Sequence, residues 1–168
     1  LRGIGVGAYL EVTAPPSKEL GKITFDKDGG VTIITGTLDY GQGHASPYAQ
    51  VLSDRLGVPF EKIRLVQGDS DIVHAGNGTG GSRSLQLGGS AVMKATEAMV
   101  DKAKKLAARL LEADEADIVV DTTTGTVGVV GAPATALDWA ALAAAAVEAA
   151  GDDDPIDHDD GTLGLAAQ

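Results

Sequence analysis

The chain has 168 residues, no cysteine and a net charge of −11. That length suits one domain with a sizeable core. The missing cysteine excludes disulfides, thiolate metal sites, cysteine-ligated iron–sulfur clusters and a cysteine nucleophile within this chain, and the acidic balance argues against nucleic acid or an anionic membrane as partner.

Aromatic residues are only 4% of the chain, so aliphatic and small side chains must fill the core. No apolar run approaches the roughly 20 residues of a membrane span, and no basic-then-apolar leader opens the sequence. It begins Leu1-Arg2-Gly3-Ile4-Gly5, which suggests a piece of a longer polypeptide; a cytoplasmic location is the separate expectation. Ile4, Val6, Ala8, Leu10 and Val12 alternate with other residues and predict a strand ending at Pro15-Pro16. Gly3, Gly5 and Gly7 are spaced wrongly for a dinucleotide fingerprint and are expected as strand glycines. Ile23 and Phe25, then Val31 and Ile33, flank Asp28-Gly29 and predict a hairpin whose second strand runs towards Gly41.

Ser46-Pro47 predicts an N-cap followed by proline at the first helical position. The helix buries Tyr48, Val51, Leu52 and Leu56 and stops at Gly57. Ile63, Leu65 and Gln67 predict another strand, and residues 68–81 an irregular loop. Ser82 is expected to cap a long helix over 83–111, with Gly88-Gly89 bending or delaying its start. Its apolar face carries Val92, Met99, Ala103, Leu106 and Leu110. Ile118–Val120 and Val127–Val130 predict a hairpin around Thr124-Gly125. Thr135 to Asp138 resembles a capping box for an Ala-rich helix burying Trp139, Leu142 and Val147. Six aspartates crowd into 152–160. The domain is thus expected over 1–150, with an acidic, flexible tail over 151–168. The element order implies an α+β fold, long helices packed on a mixed or antiparallel sheet with hairpins.

Two turns stand out for chemistry. Asp39-Tyr40-Gly41-Gln42-Gly43-His44 and Gly78-Thr79-Gly80-Gly81-Ser82-Arg83-Ser84 each precede a helical pattern. Glycines leave backbone N–H groups unobstructed, and the polar residues between them add donors. Two such turns feeding helix starts suit an extended anion such as a pyrophosphate.

Further motifs accompany these turns in order: Tyr48-Ala49-Gln50, Leu56-Gly57-Val58-Pro59 and Gln67-Gly68-Asp69-Ser70-Asp71. Together they resemble the molybdenum-binding large subunit of the xanthine dehydrogenase, aldehyde oxidase and carbon monoxide dehydrogenase family. The likeness runs from about Arg2 to the Trp139 helix and is strongest from Tyr40 to Ser84. It implies a molybdopterin cofactor, in bacteria usually the cytosine dinucleotide. Gln42, Gly43 and His44 would contact its pterin–pyrophosphate part. Thr79, Gly80, Gly81, Ser82, Arg83 and Ser84 would line the phosphate and nucleotide end. Arg83 could add a bidentate contact or serve a structural ion pair, and Asp69 and Asp71 could be ligands or turn caps. The resemblance also implies iron–sulfur and FAD-binding subunits or domains as partners, besides the remainder of the large subunit. The family's C-terminal Gly-x-Gly-Glu segment, which carries the general base of its hydroxylases, is not in this chain. Neither are the cysteine-bearing loop of the carbon monoxide branch and an earlier Gly-rich loop. The expectation is therefore an internal piece that carries no catalytic residue and is inactive alone.

Rival readings are weaker. His44, His74 and His158 are far apart, the run from Asp152 to Gly161 lacks calcium-loop spacing, and no Gly-Lys-Ser/Thr follows the glycines at 76–81. The non-enzymatic alternative is an α+β interaction or assembly module with no cofactor.

Overall fold

The computed structural model describes residues 2–14, 17–149 and 166–167. Strands β1 (Gly21–Phe25) and β2 (Val31–Thr35) form the expected hairpin, with Ile23 opposite Ile33. Asp28 Oδ1 accepts from Gly30 N–H at 3.0 Å, closing the turn. Helix α1 (Ala45–Leu56) then leads to β3 (Ile63–Val66), which pairs parallel to β2. Short β7 (Ala166–Ala167) pairs with the other edge of β1, giving the order β3-β2-β1-β7. Helix α2 (Ser90–Leu110) crosses this mixed sheet. A second, antiparallel sheet holds β4 (Ile118–Asp121), β5 (Thr126–Val129) and β6 (Leu137–Asp138), followed by α3 (Trp139–Ala149). The fold is α+β, as expected.

The core follows from pattern. Ile23, Phe25, Val31 and Ile33 face inward from the first sheet. Val92, Ala95, Met99, Ala103 and Leu106 form the stripe of α2 that meets them. Leu110 lies off that stripe, 45% exposed. Tyr48, Leu52 and Leu56 complete the core from α1, which ends as expected at Gly57 in the left-handed conformation. Trp139 ties the layers: its ring stacks on Phe25 at 4.6 Å. Its indole N–H donates to Leu56 O, one of the carbonyls left open at the end of α1.

Local expectations failed at four further places. Residues 2–14 form no strand, because no described strand pairs with them. Helix α1 starts at Ala45 with His44 as its cap residue, so Ser46 lies inside the first turn and caps nothing. The long helix begins as a π turn over Ser84–Gly89, and Ser82 sits at φ +52° without a capping bond. Asp138, not Thr135, caps α3, accepting from Ala141 N–H at 2.8 Å. The acidic run 152–160 lies outside the described residues.

Trp139→Ala should cost about 3–5 kcal/mol in chemical denaturation. Trp139→Phe keeps an aromatic ring there but orphans Leu56 O, and should cost about 1–3 kcal/mol.

Candidate functional site

Parallel pairing of β2 and β3 puts the ends of both strands at one edge of the sheet. The 36–44 turn leaves from the first and the 67–83 loop from the second, so motifs far apart in sequence emerge side by side. Contact there is close. A Cβ on Gly36 would lie 2.3 Å from Ala75 O and 2.4 Å from Gly76 Cα, and Gly78 N–H donates to Gly36 O at 3.0 Å.

Beneath the loops runs a chain of buried and half-buried polar groups. Gln67 Nε2 donates to Thr37 Oγ1 at 2.7 Å. Thr37 Oγ1 lies 3.2 Å from Tyr48 Oη, which donates to Ser84 O at 2.7 Å. A carbonyl only accepts and an amide nitrogen only donates, so the two ends fix the direction of every hydroxyl between them. Gln67 Nε2 also reaches His44 Nδ1 at 3.2 Å, which assigns the ring proton to Nε2. On the second loop, Thr79 Oγ1 meets Ser84 Oγ at 2.9 Å and accepts from Leu38 N–H at 3.2 Å. Burial pushes the Tyr48 hydroxyl above its ordinary pKa, with the negative charges of Glu19 and Asp39 acting in the same direction against its bond to Thr37. Gly88 is required here, since a Cβ would lie 2.5 Å from Tyr48 Oη.

The two turns differ in what they offer an anion. In the first, the Asp39 carboxylate already accepts from Gly41 and His44 N–H, both at 2.7 Å, and from Gly43 N–H at 3.2 Å. Those bonds, Gly41 and His44 foremost, hold the Asp39 carboxyl below the ordinary carboxylate range. Tyr40 N–H donates to Gln42 Oε1. The expectation of open N–H groups at this turn is therefore corrected: the protein's own carboxylate fills it. In the second turn, no acceptor among the described residues meets Gly80, Gly81 or Ser82 N–H. Arg83 Nε donates to Gly80 O at 2.8 Å and braces the loop from within. Asp69 is a turn cap, accepting from Asp71 N–H.

Of the residues singled out from sequence, the network joins His44, Thr79 and Ser84. Gln42, Gly43, Gly80, Gly81 and Ser82 lie exposed on the rim, and Arg83 is half-buried. Sequence reasoning missed Thr37 and Asp39 as anchors, and placed Tyr48 and Gln67 in the core, in a strand and in two of the accompanying motifs without giving either a role at the site. A groove of about 300 Å³ beside the second loop is lined by Gly36, Leu38, Asp69, His74 and Gly78 among others. A larger one, of about 500 Å³, lies between α1, α2 and β4 and includes none of these residues.

Comparison with known proteins shows the family. Residues 1–161 match the family model described as a molybdopterin cofactor-binding domain. The carbon monoxide dehydrogenase large chain of Hydrogenophaga pseudoflava is 39% identical over 129 residues, covering 70% of this chain and 16% of the relative. The nicotine 6-hydroxylase large subunit of Paenarthrobacter nicotinovorans is 39% identical over 142 residues, covering 77% and 17%. The structure of reconstituted CO dehydrogenase from Oligotropha carboxidovorans superposes with a TM-score of 0.74 at 31% identity, over 89% of this chain and 18% of that one.

Two substitutions test the geometry. Asp39 titrates lower in the folded than in the unfolded chain. Between the two values the unfolded state binds more protons, so this stabilisation is complete above about pH 4 and lost as pH falls through the folded value. Asp39→Asn should flatten that acid limb in thermal melts. Tyr48→Phe should cost about 1–3 kcal/mol by leaving Ser84 O unpaired, and should shift amide NMR signals across 79–84.

Proposed function

This chain belongs to the molybdopterin cofactor-binding domain family, and from that premise we propose that it is an internal piece of a molybdenum hydroxylase large subunit that holds the cofactor's anionic part on the Thr79–Ser84 turn. One observation carries the assignment. The N–H groups of Gly80, Gly81 and Ser82 find no acceptor among the described residues, and a Cβ on Gly80 would meet only open space. A phosphate gains strong, charge-assisted bonds from such donors at the start of a helical segment. Ser82 adds support, because a non-glycine residue at φ +52° is the kind of strain that ligand clamps retain.

Within this reading each residue has a task. Gly80, Gly81 and Ser82 supply backbone donors, and the half-buried Arg83 supplies positive charge beside them. Thr79 and Ser84 anchor the turn to the end of β2 and to Tyr48. Gln42, exposed on the facing turn, directs its amide to the pterin end, with Gly43 giving close approach. His44, its ring fixed by Gln67, presents its Nε2 proton. Asp39 holds the first turn in shape. When bound, the group supplies the redox-active molybdenum for oxidising aldehydes, N-heterocycles or carbon monoxide. The cytosine dinucleotide form is inferred from the likeness to the carbon monoxide dehydrogenase large chains.

The chain spans 16–17% of the length of the relatives described above. Substrate contacts, the general base and the iron–sulfur and flavin partners are accordingly assigned to the remainder of the subunit and its complex, in the cytoplasm. The isolated chain is expected to fold and to lack turnover.

Gln42→Ala in the full-length subunit should lower molybdenum content and activity without lowering the melting temperature, as a lost amide contact in a polar site costs about 1–3 kcal/mol. Metal analysis and extraction of the cofactor with mass determination check this. Normal content and normal turnover would remove Gln42 from the site.

A further inference from the structure

Residues 4–12 are a strongly patterned stretch that the described fold leaves unused. Ile4, Val6, Leu10 and Val12 are between 75% and 99% exposed. In an extended chain, apolar residues at every second position share one face. The other face carries Gly3, Gly5 and Gly7, where a Cβ would meet nothing within 4 Å. Glycine weakens a strand and is kept where another backbone approaches closely, yet here open space surrounds it. Apolar surface in water and glycine without a neighbour both cost stability, and nothing in the described residues offsets either.

The far end of this segment is nevertheless tied down. Ala14 N–H donates to Gly81 O at 3.0 Å, in the turn proposed to hold the cofactor. Most of the length of the relatives lies outside the region matched here, which provides a large body of protein for the segment to meet.

We propose that residues 4–12 add as a strand to the edge of a β-sheet in the remainder of the large subunit. Ile4, Val6, Ala8, Leu10 and Val12 enter that region's apolar layer, while Gly3, Gly5 and Gly7 receive a closely packed backbone. Main-chain bonds supply the pairing and alternate side chains its register. Through Ala14 and Gly81, this strand addition tethers the cofactor turn to the rest of the subunit. The inference rests on family membership and on length, not on which atoms hold the cofactor.

Hydrogen exchange in the full-length subunit and in the 168-residue chain tests it without reference to molybdenum content. Amides of residues 4–12 should exchange at unprotected rates in the short chain. In the full-length subunit they should be protected, at alternate positions if the segment is an edge strand. Val6→Lys should leave the melting temperature of the short chain unchanged and should abolish that protection, or the yield of soluble subunit, in the full-length protein. Equal exchange in both wild-type proteins would overturn the proposal. So would protection in the short chain that grows with its concentration, which would make a second copy the occupant.

Discussion

The arrangement depends on the parallel ladder between β2 and β3. Had β3 returned antiparallel, its end would lie at the opposite edge of the sheet, and the two donor-rich loops would never meet. A parallel return requires a crossover, and α1 supplies it. The helix buries Tyr48, Leu52 and Leu56 against the sheet and starts in the first of the loops it serves. Open sheets with parallel strands place ligands beyond the strand ends for the same reason.

Packing alone would leave those loops loose. The chain from Gln67 through Thr37 and Tyr48 to Ser84 fixes both to the same framework, and it is expensive to break because its middle is buried. Tyr48 belongs to two links at once. Its ring fills the core while its hydroxyl holds the start of the second helical segment. Electrostatics then divide the labour: Asp39 satisfies the N–H groups of the first turn, and those of Gly80 to Ser82 stay open. Two similar stretches of sequence thus become a braced wall and an open cradle.

What could be read from sequence was what is decided locally. Asp28-Gly29 sets its own turn, Gly57 ends its own helix, and the α2 stripe follows from period alone. The fold class and the family followed from these elements and from the motifs between Tyr40 and Ser84. The caps were misplaced because Ser46 and Ser82 look right to their neighbours, whereas α1 already begins at Ala45 with no side-chain cap, and Ser82 sits at φ +52° ahead of a π turn. The site's inner partners were hidden differently. Gln67 reaches His44 and Thr37 only once β3 lies beside β2, and although Tyr48 belongs to one of the accompanying motifs, nothing in the sequence shows which groups its hydroxyl meets. The strand pattern over 4–12 is real as a pattern, but a strand exists only with a partner.

The most direct test is a phosphate titration of this chain followed by amide NMR. Phosphate should shift Gly80, Gly81 and Ser82, while Gly41, Gly43 and His44 stay in place because Asp39 occupies them. Shifts confined to residues 41–44, or spread evenly over the surface with none favoured at 80–82, would contradict the assignment of the second turn as the anion cradle.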